Sequence, residues 1–244
     1  MDKNEFISES KRIFALNPLV AMPTDEMLEH MFSLTEIMLS VNSYMNLTAI
    51  TDLEGVILKH YVDSLTVSEY IPQNSTVIDV GCGAGFPSLP LAIARPDLKI
   101  CAIDSTAKRI RYVNETSEKL GLANVVAMAA RAEELASKPD YRENYDVAVA
   151  RAVADLPVLT ELCMPFVKVG GKFVSMKAAK GSEELENSRN AIKTCGGGAS
   201  EVVHIDITAN GNDFENRRII ISSKTNHTPK EYPRNFGRIQ KKPL

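Results

Sequence analysis

The chain has no stretch of 18 or more uncharged apolar residues among its 244, so no membrane-crossing helix is expected. Its opening residues, MDKNEFISESKRIF, lack the apolar centre of a secretory signal. Cysteine is scarce. Cys82, Cys101, Cys163 and Cys195 stand far apart, with no CxxC pair and no accompanying histidine spacing. That argues against a disulfide framework and against a zinc site, so no metal is expected and a reducing, cytoplasmic setting fits best. Internal repeats are missing too, and CGGG at 195–198 reads as a loop. Nor does one sign of charge dominate: a net charge of −3 gives by itself no hint of a nucleic-acid partner.

What is present is unevenly placed. Residues 1–70 carry four basic and eleven acidic side chains, whereas residues 225–244 carry Lys230, Arg234, Arg238, Lys241 and Lys242 against Glu231 alone. By itself a short basic end reads as a solvated tail. Hydrophobic content of 44% is that of a soluble globular protein long enough to bury a good core.

Three sections follow from the rhythm of the chain. Residues 1–72 read as helical. Phe6, Ile7, Ser10 and Phe14 mark a first helix that ends near Asn17-Pro18. Thr24 caps a second, with apolar residues at 27, 28, 31, 32, 34, 37, 38 and 41, a period near 3.6. A third is predicted through LEGVILKHYVDSLTVSEY. Residues 73–224 alternate strand and helix, with strands at VIDVG, KICAIDS, VVAMAA, YDVAVAR, GGKFVSMK, VVHIDI and RRIIISSK. Helices are expected at LPLAIARP, KRIRYVNETSEKLG, near Glu134 and over 156–168. The fold class is therefore α/β, a seven-stranded, doubly wound, Rossmann-like parallel sheet with an N-terminal helical extension. The last two strands, without a clear helix between them, suit an antiparallel pair at one edge. Residues 225–244 form the basic tail.

In such sheets the ligand lies beyond the carboxyl ends of the strands. The first strand ends in Gly81-Cys82-Gly83-Ala84-Gly85-Phe86. A dinucleotide loop needs a third glycine at the sixth position, which here is Phe86. The loop is instead preceded by Asp79, which would repel a phosphate and attract a ligand ammonium. Asp104 ends the second strand, where a carboxylate can accept hydrogen bonds from ribose hydroxyls. Asp79, Gly81, Gly83, Gly85 and Asp104 together suit S-adenosylmethionine. Ala132 and Glu133, after the third strand, can offer a backbone N–H and a carboxylate to an adenine edge, although acids in a helix's first turn are common in any case. Arg151, just past the buried fourth strand, sits at the ligand face or forms a plain salt bridge.

The methyl acceptor is approached by the chemistry each alternative needs. Methylation of an exocyclic amine usually employs Asn/Asp-Pro-Pro-aromatic after the fourth strand, where this chain has Ala150-Arg151-Ala152-Val153. Carbon-5 methylation of a pyrimidine needs a cysteine nucleophile, and Cys163 reads as mid-helix core. Metal-dependent O-methylation wants a carboxylate cluster, and none is evident. A ring nitrogen such as guanine N7 attacks directly and releases no proton, so alignment supplies most of the catalysis.

At this point the chain resembles the bacterial ribosomal small-subunit methyltransferase G family, also called glucose-inhibited division protein B. The matching segments are Asn46-Leu47-Thr48-Ala49-Ile50, His60-Tyr61-Val62-Asp63-Ser64-Leu65, Asp79-Val80-Gly81-Cys82-Gly83-Ala84-Gly85-Phe86-Pro87, Asp104-Ser105 with Lys108-Arg109, Arg131-Ala132-Glu133-Glu134, Ala150-Arg151-Ala152, Tyr232-Pro233-Arg234 and Lys241-Lys242-Pro243-Leu244. The resemblance implies methylation of N7 of one guanine in 16S ribosomal RNA, with S-adenosylmethionine as cofactor. It implies cofactor contacts at Gly81, Phe86, Ala132, Glu133 and Arg151, with Asp104 on the ribose. Departures are Ser88, where many members have glycine, and Gln240. In that light the tail, YPRNFGRIQKKPL, becomes an RNA-contact candidate through Arg234, Arg238, Lys241 and Lys242, with Tyr232 or Phe236 stacking on a splayed base. Arg151 is at most a catalytic candidate that holds the cofactor, since arginine stays protonated. Asn46 and Thr48 either line the guanine pocket or cap helices, and His60 is expected to bond Asp63 on one helical face or to serve the site. The expected partner is 16S rRNA or the small ribosomal subunit, met by a monomer. The rival readings are a small-molecule N-methyltransferase of the same fold and a non-catalytic nucleotide-binding module. The basic, aromatic tail favours RNA over the first. The carboxylates at 79 and 104 disfavour the second.

Overall fold

Neighbouring residues on each strand bury toward opposite faces, which is how one sheet builds two cores. The computed structural model describes residues 1–151, 154–178 and 181–244. Ala152 and Val153, part of the fourth-strand segment quoted above, lie outside the described residues. The strands are β1 (Thr76–Val80), β2 (Lys99–Asp104), β3 (Val125–Ala129), β4 (Tyr145–Arg151), β5 (Val167–Lys177), β6 (Gly197–Thr208) and β7 (Phe214–Lys224). They form one sheet in the order β3-β2-β1-β4-β5-β7-β6. β1 to β5 are parallel, and β7 runs antiparallel to both β5 and β6. The expected sheet and its antiparallel edge pair are both present.

On one face Val77, Ile100, Val147, Val149, Val174 and Ile219 pack with Phe6, Phe14, Met31 and Tyr61. These last come from α1 (Lys3–Ala15), α2 (Asp25–Met45) and the turns after α3 (Leu53–Val56), so the helical section shares a core with the sheet. Thr24 caps α2 as expected, its Oγ1 accepting the Met27 N–H at 3.3 Å. The Tyr61 hydroxyl donates to Met31 O at 2.6 Å and meets Thr35 Oγ1 at 2.7 Å, so a buried polar group ties the third helical segment to α2. α5 (Ser88–Ala94) and α6 (Ala107–Lys119) complete this layer. On the other face Ile78, Ile103, Ala148, Phe173 and Ile220 pack with Leu159, Leu162, Ile192 and Ile239. That layer holds α7 (Ala132–Leu135), α8 (Leu156–Cys163), α9 (Gly181–Thr194) and α10 (Phe236–Lys241).

Four local expectations are corrected. The third helix is not a uniform α-helix: between α3 and α4 (Asp63–Leu65), residues Ile57–Val62 form a wider π-helical turn. The helix predicted over 156–168 stops at Cys163. A single 3₁₀ turn, Met164–Phe166, follows, and β5 starts at Val167; Pro165 has no N–H with which to continue an α-helix. Gly197 and Gly198 are strand, not loop. A Cβ at Gly197 would stand 2.5 Å from Ile192 Cγ2, so the edge strand approaches α9 at a point where only glycine fits. α9 itself was not foreseen between β5 and β6.

The tail is bolted to the body. Arg142 donates to the carbonyls of Thr228 (2.8 Å), Pro229 (3.1 Å) and Tyr232 (2.9 Å). The buried Lys224 ammonium donates to Met164 O at 2.8 Å and to Thr228 Oγ1. Ile239 is fully buried.

Candidate cofactor and base-binding cleft

The parallel strands β1, β2 and β4 deliver their carboxyl ends to one edge, and the glycine loop closes over it. The N–H groups of Gly81 and Cys82 donate to Ile103 O at 2.8 and 3.0 Å, so the loop leaves β1 already fastened to β2. Gly85 and Phe86 both donate to Cys82 O, at 2.8 and 3.1 Å. Gly81, Gly83 and Gly85 all have positive φ. At Gly85, with φ of +87°, a Cβ would lie 2.5 Å from Leu89 Cδ1, so the turn and the close approach of α5 both demand glycine.

Asp104 sits at the centre. Its Oδ2 accepts from Gly83 N–H at 3.1 Å and its Oδ1 from Thr106 N–H at 2.7 Å. A carboxylate has roughly four acceptor positions, so about one remains on each oxygen, as a pair of ribose hydroxyls requires. Two hollows share Gly81 and Asp104 as walls. One, of about 530 Å³, is lined by Ala132, Glu133, Leu162 and Phe236. The other, of about 950 Å³, is lined by Thr48, His60, Gly83, Phe86, Arg109 and Arg151. The first suits an adenosine and the second a methionine chain with an acceptor base beyond it.

The second hollow has an aromatic wall. Phe86 stacks on His60, with centroids 4.5 Å apart and planes 19° from parallel, and the Arg151 guanidinium lies 5.5 Å from the Phe86 centroid. Arg151 also donates to Lys59 O at 2.9 Å and to Asp63 Oδ2 at 3.2 Å. It is therefore both a salt-bridge partner and a cleft residue. Asp63 takes a second arginine, Arg217, whose Nε donates to Oδ1 at 2.7 Å, and the chain of charges continues through Glu215 to Lys59.

His60 does not bond Asp63. The π-helical turn sets the two side chains apart; His60 Nε2 meets Thr48 Oγ1 at 3.0 Å, and Nδ1 is buried without a partner. Burial, reinforced by the charge of Arg151, lowers its pKa to about 4. Thr48 is held by a two-way link to Asn42, its N–H donating to Oδ1 at 2.9 Å and its carbonyl accepting from Nδ2 at 3.0 Å. Thr48 thus lines the cleft, while Asn46 is an exposed C-cap of α2 with left-handed backbone (φ 51°).

Asp79 lies beneath the loop with no exposed surface and lines neither hollow. Ser88 Oγ donates to its Oδ2, while Oδ1 has no partner. Burial raises its pKa to about 6, an effect partly offset by Ser88 and Arg151. Its carboxylate touches no ligand space, but its charge beneath the glycine loop favours a cationic group over a phosphate above that loop. Cys163 is fully buried, and burial pushes its thiol well above the ordinary value, so it is no nucleophile.

In the tail, Arg238, Lys241 and Lys242 are exposed. Arg234 is not free: its backbone N–H and Nε donate to Glu161 Oε1 at 2.8 Å each, and Nη2 to Oε2 at 2.6 Å. Phe236, read from sequence as a base-stacking residue, faces the adenosine-side hollow. Sequence reasoning missed Leu162, which merely falls within the helix predicted over 156–168, and Arg109, quoted only as part of a motif. Leu162 had no local signal; it reaches the cleft because α8 packs beside α7 and α10, which carry Ala132, Glu133 and Phe236.

Sheet order, glycine loop and the carboxylates at 104 and 133 define an S-adenosylmethionine-dependent methyltransferase. The fold agrees with solved structures. An S-adenosylmethionine-dependent O-methyltransferase of Thermotoga maritima superposes with a TM-score of 0.53 at 15% identity, covering 85% of this chain and 74% of that one. A methyltransferase of Aquifex aeolicus gives 0.51 at 20% identity, with 70% and 93% covered. The GidB family profile, described as rRNA small subunit methyltransferase G, matches residues 27–211. Ribosomal RNA small subunit methyltransferase G of Acetivibrio thermocellus is 44% identical over 221 residues, 90% of each chain. Its counterpart in Halalkalibacterium halodurans is 49% identical over 205 residues, 83% of this chain and 85% of that one. This chain belongs to the rRNA small subunit methyltransferase G family.

Proposed function

We propose that the protein methylates N7 of one guanine in 16S rRNA, acting as a monomer on the small ribosomal subunit or a precursor of it. The observation that carries this reading is the junction of the two hollows at Gly81 and Asp104: a nucleoside-sized space on one side, and on the other a space walled by Phe86, His60 and Arg151. When bound, S-adenosylmethionine supplies an electrophilic methyl group on a cationic sulfur.

The protein's own residues bind and orient. Asp104 takes the ribose, Ala132 and Glu133 the adenine edge, and Gly81, Gly83, Gly85 and Phe86 shape the bend between the hollows. Asp79 acts from beneath the loop. Attack by N7 releases no proton, so no general base is required. It does leave the guanine ring positively charged. A histidine held neutral adds no positive charge beside that ring, and Arg151 has its charge partly offset by Asp63, which it shares with Arg217. Arg238, Lys241 and Lys242 engage phosphates, with Arg234 contributing through the geometry it imposes on the tail.

The test is methyl transfer from labelled S-adenosylmethionine to small subunits, to naked 16S rRNA or to a metabolite extract, followed by nucleoside analysis. The expected result is label in 16S rRNA as 7-methylguanosine. Label confined to metabolites would establish a small-molecule methyltransferase instead, and a protein that binds no cofactor by calorimetry would be a non-catalytic module.

A further inference from the structure

The basic end of the chain carries more anchoring than a phosphate-grasping tail needs. Arg142 gathers three of its carbonyls, and the buried carboxylate of Glu161 on α8 takes three hydrogen bonds from Arg234. Asn235 caps the next helix by accepting from Arg238 N–H at 3.0 Å, and Ile239 plugs into the core. Phe236 lies between the anchor at Arg234 and the plug at Ile239, so its ring has little freedom. It lines the same hollow of about 530 Å³ as Asp104, Glu133 and Leu162, the last being the residue next to Glu161. Phe236 is partly buried and lines this hollow, so part of its ring surface is open to a flat ligand held there.

We infer that Phe236 is part of the cofactor site, closing the adenine end by stacking, and that the C-terminal segment is anchored in order to place it. The inference rests on the cofactor reading above. It also gives the tail, read from sequence as an RNA-contact candidate, a part in cofactor binding.

The chain contains no tryptophan, so Phe236→Trp installs a single indole at the proposed contact. Its fluorescence is expected to change saturably with S-adenosylhomocysteine and with methylthioadenosine, which lacks the amino-acid end, and to ignore methionine. Phe236→Ala is expected to weaken both nucleosides by the same factor, roughly tenfold, the scale of one aromatic–base stack, with Phe236→Tyr retaining most of the affinity. Indole emission that stays constant while calorimetry records S-adenosylhomocysteine binding would overturn the inference and leave the cofactor reading intact. So would wild-type affinity in Phe236→Ala. Absence of S-adenosylhomocysteine binding by the unmodified protein would instead overturn the cofactor reading, and the role of Phe236 with it.

Discussion

His60 and Asp79 are buried ionisable groups on either side of the glycine loop, and their proton affinities move in opposite senses. His60 titrates near 6.5 in the unfolded chain and at about 4 in the fold. The unfolded state therefore takes up the proton first, and stability falls as pH drops through that window. Asp79, raised from 3.8 to about 6, is protonated first in the fold, which adds stability in acid. The two largely cancel in the wild type. Replacing His60 with glutamine removes one side of the balance. Relative to wild type, His60→Gln should gain about 2 kcal/mol between about pH 7 and about pH 5 in urea unfolding. Parallel acid limbs in the two proteins would show that the ring is not shielded as described. Asp104 makes a simpler case. With Asp104 on the ribose as proposed, Asp104→Ala should weaken S-adenosylhomocysteine by about 2–4 kcal/mol in calorimetry. At this scale much of the site was legible. Asp104, Ala132, Glu133, Gly81 and Gly83, singled out from type and position, line the two hollows, and Gly85 has the positive φ that a tight turn needs. The partners of His60 were not legible, since i, i+3 reasoning assumes a regular α-helix and Ile57–Val62 is wider.

Between elements, one carboxylate does the joining. Asp63, near the end of the third helical segment, accepts from Arg151 on β4 and from Arg217 on β7, and all three side chains are largely buried. Neutralising it would leave two guanidinium groups half-buried beside the cleft. Loss of one partner from such a cluster costs about 3–5 kcal/mol when fully buried. The arginines keep part of their solvent contact, so Asp63→Asn should cost about 2–3 kcal/mol, read as a lower urea midpoint with an unchanged slope. A shift within error would mean that water already screens the cluster. Elements were legible where alternation or period was strong: all seven strands, α1, α2 and α6. α9 was hidden because its buried stripe is little more than Leu185, Ala191 and Ile192 in an otherwise polar stretch. The early start of β6 was hidden because a glycine run in a strand looks like a loop until its close neighbour, Ile192, is known.

Across the whole molecule, charge and cleft meet at α10. The protein as a whole is weakly acidic, with the excess negative charge in its first 70 residues, so RNA affinity cannot come from a diffuse field. It must come from a local patch. Arg238 and Lys241 are exposed on the short helix whose first residue, Phe236, lines the cofactor hollow, and Lys242 is exposed just after it. Arg234 is a different kind of residue, since Glu161 already holds its guanidinium. Each phosphate neutralised on a single strand contributes about −0.7 to the slope of log affinity against log salt. Replacing Arg238, Lys241 and Lys242 together with alanine should therefore flatten that slope by about 2 in filter binding to 16S rRNA. Arg234→Ala should lower the unfolding midpoint and change the slope far less, because the charge it removes was never offered to phosphate. If the triple variant kept the wild-type slope, α10 would be a wall for the cofactor alone, and the RNA-binding surface would have to lie elsewhere on the molecule.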